Sequence, residues 1–540
     1  LLQFEKSKSP IQNSHQDWQE SWSRFEKYFM LQRDGACTSL WQMNMPDYQP
    51  NNNGNTNELY DVAIVGGGMT GVLTALLLQR SGRKCILFES HNLCFGTTGG
   101  TTAHLNTLLD TPYTTIIKNF GKESARLIAD AAASAIALVK KNIEFYNIDC
   151  AFENASAFLF SQDNEQSDEL DGIYDACKEV GLDISYANAL PVNIPFQKAI
   201  EVRGQGKFHP VKYVFALAKA FEEAGGIIMQ HCRVNGVENN EEILVETDSG
   251  HFKASNLIYA THIPPGVNLL HLRCAPWRSY AMAFSLKAKK YPKDLVYDMY
   301  DPYHYIRSQK VDGKTYMIVG GEDHKTAHKE NTESCFRSLE SYILKHFDVD
   351  EFVEKWSSQY FEPADGLPYI GHLPQHTGKI FVASGYGGNG MTYSHIAAQV
   401  LHDMITEKDN ALIDVLNPNR IKPVAGFTSF IKQNADVLKK FIGKFFSHEK
   451  LEEFADLAPG EGRVVRYEGE TIALYKDENG QLHAVNPVCT HLKCSVEWNM
   501  AEESWDCPCH GARYDKEGKV LTGPADIDLE KIMITSLVKK

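Results

Sequence analysis

Two short stretches near the C-terminal end hold residue types that bind metal. Cys489 and His491 form C-x-H, and Cys507 and His510 form C-x-x-H. Two sulfur and two nitrogen donors in this order fit a two-iron, two-sulfur centre in which two His replace two Cys on one iron, raising its potential above that of all-Cys clusters. Structural zinc takes the same atom types. Zinc requires neither the extra cysteines in these loops, Cys494 and Cys509, nor the Gly523-Pro524-Ala525 run that follows. A second constellation lies far upstream. Tyr60 to Val65 is apolar and β-branched, as a buried strand is, and it leads into Gly66, Gly68 and Gly71, spaced G-x-G-x-x-G. A helical stretch over Val72–Ser81 follows, Gly82 ends it, and Lys84–Phe88 forms a second strand with Glu89 at its end. The glycines permit a tight turn and close approach to a pyrophosphate. The helix N-terminus offers free N–H groups, and an acid 18 residues after Gly71 can accept from ribose hydroxyls. Together these predict a dinucleotide site. The apolar run Val62–Leu78 also admits a membrane-span reading, but its glycines, Asp61 and Arg80 close the window short of a comfortable span.

Residues 456–540 resemble the Rieske domains of quinol-oxidising complexes, through the six Cys and His positions, Trp498-Asn499, Tyr514-Asp515, Gly518 and the Gly523-Pro524 loop. The resemblance implies Cys489, His491, Cys507 and His510 as ligands of a 2Fe–2S cluster, and a Cys494–Cys509 disulfide clamping the two loops. High-potential members carry Ser where this chain has Ala512, so the potential is expected to fall within the Rieske range but below its top. Tyr514, their second hydrogen-bond donor, is retained. Residues 58–420 resemble the D-amino acid oxidase-type flavoproteins. The motifs are Cys94 to His104, Phe208-His209-Pro210 with the helix Val211–Ala224, Leu257 to Thr261, Glu362 to Gly371, and Ser384 to Thr392. This resemblance implies FAD, bound by Gly66, Gly68, Met69, Thr70, Gly71, Glu89, Ser90, Thr97, Thr98, Gly99, Ala103, Val234, Ala260, Thr261, Gly385, Gly388, Asn389, Gly390, Met391 and Thr392. Some relatives attach flavin to a His, but that residue falls near Gly100 here, so no covalent bond to His104 is expected. Joined, the two ends resemble fusions of such a flavoprotein with a Rieske domain.

The expected architecture is an α/β, Rossmann-like FAD-binding domain, an α+β substrate domain and a small all-β Rieske domain. Residues 1–57 are an N-terminal extension, with Gln16–Leu31 helical and 49–57 a polar linker. Residues 58–424 are the flavoprotein, its FAD-binding parts at 58–110, 205–265 and 360–420 and its substrate domain at 111–204 and 266–359. The first half of that insert reads as helix-rich (Glu123–Phe145). The later half reads as strand-rich (Arg278–Leu286, Tyr303–Ser308, Thr315–Gly320). Residues 425–455 read as a helical linker whose apolar positions, Phe430 to Phe445, recur at helical spacing among lysines. A basic amphipathic helix can lie on a membrane, but more often packs on its own protein.

At 540 residues with 43% apolar content the chain suits about three to four domain-sized units. A net charge of −15 disfavours nucleic acid as a partner. Eight of the 12 cysteines are scattered without a pairing pattern, and no signal peptide is visible, so a cytoplasmic location is expected. The economical function is an FAD-dependent dehydrogenase that oxidises an amine or amino acid. Electrons would pass from FADH2 to the intramolecular cluster and on to an external acceptor. The alternatives are an oxygen-using flavoprotein amine oxidase and a non-catalytic redox or electron-transfer module. The family's carboxylate-binding Arg falls at Glu362 here, the opposite charge, which favours a basic or neutral amine. Tyr280, His304, Tyr305, Arg307 and His324 are the candidate catalytic residues. A His near the flavin can act as a base at neutral pH, and Arg307 or Arg278 can clamp a carboxylate or form an ion pair.

Overall fold

The computed structural model describes residues 30–51, 53–376, 378–420, 457–467 and 469–533. The helical linker expected at 425–455, with its membrane reading, lies outside them, as does most of the Gln16–Leu31 helix; Met30 instead bridges to Pro46.

An eight-stranded sheet runs in the order Tyr369–His372, Ile380–Ser384, Gly250–Tyr259, Leu59–Val65, Cys85–Phe88 and Ile227–Met229, with Ile243–Thr247 and Val234–Asn239 beside it. Its central neighbours are parallel. Such strands are covered on both faces and so read as unbroken apolar runs. The helix expected over Val72–Ser81 spans Met69–Arg80 and is buried along most of its length, packed against Pro210–Glu223 and Gly390–Ile405. That accounts for its lack of a polar face. Among the described residues no helix is long and apolar enough to cross a membrane.

A nine-stranded sheet forms the second layer, in the order Val349–Pro363, Cys274–Leu286, Lys314–Lys325, Tyr305–Val311, Leu295–Asp298, Glu153–Ser161, Lys198–Lys207 and His104–Leu105, with Ile184–Tyr186 alongside. The helix Lys122–Tyr146 lies in its helix-rich first half, which also supplies the strands Glu153–Ser161 and Lys198–Lys207. The sheet reaches a few residues into each stretch expected for FAD binding, at 104–105, 205–207 and 360–363.

The C-terminal region folds as two four-stranded antiparallel sheets, Gly462–Tyr467 to Lys531–Ile532 and Glu497–Asn499 to Val520–Thr522. It docks on the flavoprotein through buried charge. Arg278 pairs with Asp506 at 3.2 Å, Arg33 with Glu502 at 3.0 Å and Arg513 with Asp34 at 2.8 Å, every one of these side chains at most 3% exposed. Residues 31–48 of the extension therefore act as a strap. Trp41, fully buried, donates its indole N–H to the Thr101 carbonyl.

Candidate active site

A cavity of about 310 Å³ opens at the carboxyl ends of the parallel strands, where α/β sheets bind ligands. Gly66 (φ 112°) turns the chain there, and a Cβ on it would lie 2.5 Å from the Ala260 carbonyl oxygen. Glu89 accepts from the Gly67 N–H at 2.7 Å and the His91 N–H at 3.0 Å, which fixes its carboxylate at the cavity wall. Of the expected FAD-binding residues, Gly66, Gly68, Met69, Thr70, Glu89, Ser90, Thr97, Thr98, Val234, Ala260, Thr261, Gly388, Asn389, Gly390 and Met391 line this cavity. The other five do not. Gly71 packs on Gly66, Gly99 on the Cys94 carbonyl, and Ala103 accepts from Arg307. Thr392 donates to the Asn106 carbonyl, and Gly385 lines a smaller adjoining cavity of about 160 Å³.

Successive side chains along a strand point to opposite faces, so Tyr305 and Arg307 share one face of Tyr305–Val311, at different depths along it. Tyr305 lines the cavity and faces Ser279 Oγ at 2.8 Å. Tyr280 and His324 point the other way and bond each other at 2.9 Å, and burial holds the His324 pKa down at about 4. His304 also faces away. It bonds Asp298 at 2.8 Å and stacks on Tyr342. Burial opposes its charge, but Asp298 and Glu322 outweigh that and raise it to about 9. Arg307 lies beneath the flavin loop, donating to the Thr102 and Ala103 carbonyls at 2.8 and 2.6 Å. Arg278 is committed to Asp506 and Ser357. The structure thus brings Tyr305 alone of the five to the cavity and directs the others elsewhere.

Sequence reasoning singled out Glu362 on this wall and missed two further carboxylates, Asp323 and Asp110. Asp323, beside His324 in the strand, accepts from Ser279 and from Tyr360 at 2.9 Å, and burial raises its pKa to about 7. Asp110 is exposed to both cavities, accepts from the Gly388 N–H at 2.8 Å, and is raised to about 6 by the protein that surrounds it. Glu362 lines the smaller cavity and is raised by burial, then by Asp110. Tyr297, Tyr303, Tyr360 and Tyr386 complete the wall. Among the described residues Arg233, beside Val234, is the one Arg or Lys lining the larger cavity, and none lines the smaller. The deciding feature is a strand irregularity: Tyr305 pairs with Gly320, so strict alternation would bring Glu322 and His324 to its face, but the register shifts opposite Arg278–Tyr280, His324 pairs with Arg278 and Asp323 meets Ser279 instead.

The metal-ligand candidates converge. Cys489 and Cys507 are buried, and Cys507 with Tyr514 draws the Cys489 thiol toward thiolate. The His491 and His510 rings stand 5.1 Å apart and nearly perpendicular, and each buried Nδ1 has no hydrogen-bond partner among the described residues. Two orphaned ring nitrogens beside two buried sulfurs fit a mixed-ligand cluster. Cys494 and Cys509 form a disulfide joining the loops, and both sulfurs lie within 4.8 Å of Cys507 Sγ.

A family model described as FAD dependent oxidoreductase matches residues 61–404. The chain belongs to that family. A Rieske [2Fe-2S] domain model matches residues 449–532 of this oxidoreductase. FAD and a 2Fe–2S cluster are its cofactors. Bacillus subtilis (strain 168) YhfW, named as a Rieske 2Fe-2S iron-sulfur protein, is 32% identical over 87% of this chain and 93% of its own length. The gamma-glutamylputrescine oxidoreductase of Escherichia coli (strain K12) is 21% identical over 68% of this chain and 88% of its own. The crystal structure of glycine oxidase from Geobacillus kaustophilus superposes with a TM-score of 0.58 at 19% identity, over 68% of this chain and all of that one. At that identity the likeness is one of fold.

Proposed function

We propose that this oxidoreductase is a dehydrogenase for a cationic amine, with electrons leaving through the Rieske cluster. The observation that carries the substrate reading is the wall of Asp110, Asp323 and Glu362, three acids against Arg233, beside Val234, as the one Arg or Lys lining the larger cavity among the described residues and none lining the smaller, with Lys325 near Glu362 but outside both linings. When bound, FAD supplies two-electron oxidation of a C–H next to nitrogen, and the cluster carries electrons one at a time. The protein's part is placement and proton handling. Ionised Asp110 and Glu362 attract an ammonium group, and the tyrosine faces hold its alkyl stem and its charge. Asp323, at about 7, can accept a proton near neutral pH, with Tyr360 and Ser279 fixing its orientation. The Escherichia coli relative, named for gamma-glutamylputrescine, supports an amine over an amino acid. The docked Rieske domain, which contributes Val520 to Gly523, Ala525 and Asp526 to the cavity wall, supports the electron exit.

The test is anaerobic. Mono-, di- and polyamines and D- and L-amino acids are added to the holoenzyme while flavin absorbance and the reduced-cluster paramagnetic signal are followed. An amine that bleaches the flavin and raises the cluster signal in step is the expected result. Bleaching by amino acids alone refutes the substrate reading, and bleaching without cluster reduction refutes the electron route.

A further inference from the structure

Between the flavin cavity and the cluster loops lies very little protein, and one buried side chain spans it. Gln359 belongs to the strand Val349–Pro363, lines the cavity and is 3% exposed. Its main-chain oxygen accepts from Thr97 Oγ1 at 3.0 Å, on the flavin side. Its amide oxygen accepts from Thr326 Oγ1 at 3.0 Å, and its amide nitrogen donates to the Gly511 carbonyl at 2.8 Å. Gly511 directly follows the cluster ligand His510. A Cβ at Gly511 would lie 2.7 Å from Pro276 and 2.9 Å from the Gln359 amide nitrogen, so the loop is pressed onto this strand pair. The first cluster loop is held in the same way. With Nδ1 given to the metal, His491 Nε2–H donates to the Gly266 carbonyl at 3.2 Å, and Pro265 and Ile263, just before Gly266, line the cavity. His271 closes the third side, its ring 4.6 Å from that of His491 and 5.6 Å from that of His510. The three buried ion pairs of the docking face would each have to be broken for the domain to swing away, and separating buried partners is costly.

We propose that the Rieske domain works in a fixed pose, with the His491 and His510 loops serving as the internal electron port from the flavin, and that Gln359 is the residue that positions this port. The proposal rests on the dehydrogenase reading above. Each transfer oxidises the flavin by one electron and reduces the cluster by one electron. Two transfers empty a two-electron-reduced flavin, whose two protons go to solvent. Between them an external one-electron acceptor empties the cluster.

The experiment uses the full-length holoenzyme without substrate. The flavin is reduced anaerobically by a light flash with EDTA as donor, and the rate of cluster reduction is read from its paramagnetic signal. Gln359→Leu should keep both cofactors and the dithionite-reduced cluster spectrum and potential, and slow the flavin-to-cluster step by about 10- to 100-fold, the usual reach of an outer-shell contact. Should Q359L lose a cofactor, Thr326→Val keeps Gln359 and removes only the hydroxyl that aims its amide, and a slowed step there supports the port. A Q359L or T326V enzyme that is fully loaded and transfers at the wild-type rate overturns the assignment of Gln359 while leaving the dehydrogenase reading intact. A wild-type enzyme whose cluster stays oxidised while its flavin is reduced overturns both.

Discussion

Tyr514 offers a direct handle on the cluster's potential. Its hydroxyl lies 3.2 Å from Cys489 Sγ. The same oxygen accepts from the Thr490 N–H at 3.2 Å, and Thr490 Oγ1 spends its own hydrogen on the Ile527 carbonyl at 2.6 Å. The phenol hydrogen is left to choose between Thr490 Oγ1 and the sulfur, and a charged sulfur is the stronger acceptor. Tyr514→Phe removes that donor, and with it the acceptor of the Thr490 N–H, which is a cost to both redox states alike. A hydrogen bond to a charged group contributes about 1.5–3 kcal/mol. For a one-electron couple a tenfold change is about 59 mV, so complete loss from the reduced state alone corresponds to roughly 60–130 mV. The oxidised cluster loses part of the same bond, which sets the expected fall on the order of 30–100 mV. Ala512→Ser should act in the opposite direction. Ala512 is fully buried on the loop that accepts the Cys507 N–H at 2.8 Å, so a hydroxyl there can reach the cluster sulfurs. The assay is a redox titration followed by electron paramagnetic resonance. A Y514F protein with an intact cluster signal and no shift in midpoint potential refutes the reasoning, because the 3.2 Å contact would then carry no differential energy.

The cavity acids set a pH dependence. The surrounding protein holds Asp110 at about 6 and Asp323 at about 7, so both are neutral below those values and anionic above them. Then kcat/KM for a cationic amine should rise through pH 6–7, and Asp323→Asn should remove the upper part of that rise in a steady-state pH profile. The same shifts act on stability with the opposite sign. The folded state holds protons that the unfolded chain releases near pH 3.9, so the contribution of these two acids to stability falls as pH rises from about 4 to 7, measurable by denaturation midpoints across pH. Arg278→Met should leave Asp506 with Arg513 and Asn499. Stripping a partner from a buried pair costs about 3–5 kcal/mol, with the retained Arg513 keeping this case at the low end, and limited proteolysis should release the Rieske domain faster. Cys489→Ser or His510→Ala should abolish the cluster spectrum and spare the FAD spectrum.

The cofactor sites were legible because their chemistry demands particular residue types at short spacing. Cys489 and His491 must share one loop, and Gly66 must lack a side chain wherever the rest of the chain goes. The substrate wall was not legible in the same way. Glu362 was legible by its motif position, but Asp110 sits in a loop and Asp323 in a distant strand, and only the tertiary fold brings the three together. His324 was singled out as a titratable residue in the right segment, but the register shift between Gly321 and His324 turns it away and presents Asp323. Arg278 reads equally as a carboxylate clamp or an ion pair, and its partner, 228 residues later, becomes evident only once the C-terminal domain is docked. The extension at 1–57 carries no apolar periodicity that announces its strap. Its hold depends on a few residues, Arg33, Asp34 and Trp41, whose partners are remote.

That strap has a consequence for how the chain is made. Asp34 meets Arg513 across 479 residues of sequence. At about 5–20 residues per second, synthesis takes roughly 25–95 s to span such an interval. Throughout that delay the acid and its neighbour Arg33 have no partners in the C-terminal domain, and the flavoprotein can assemble before the arm is closed over. Docking is therefore a late event in the protein's biogenesis: the cluster loops are made just before Arg513, and the seam closes only once they have emerged.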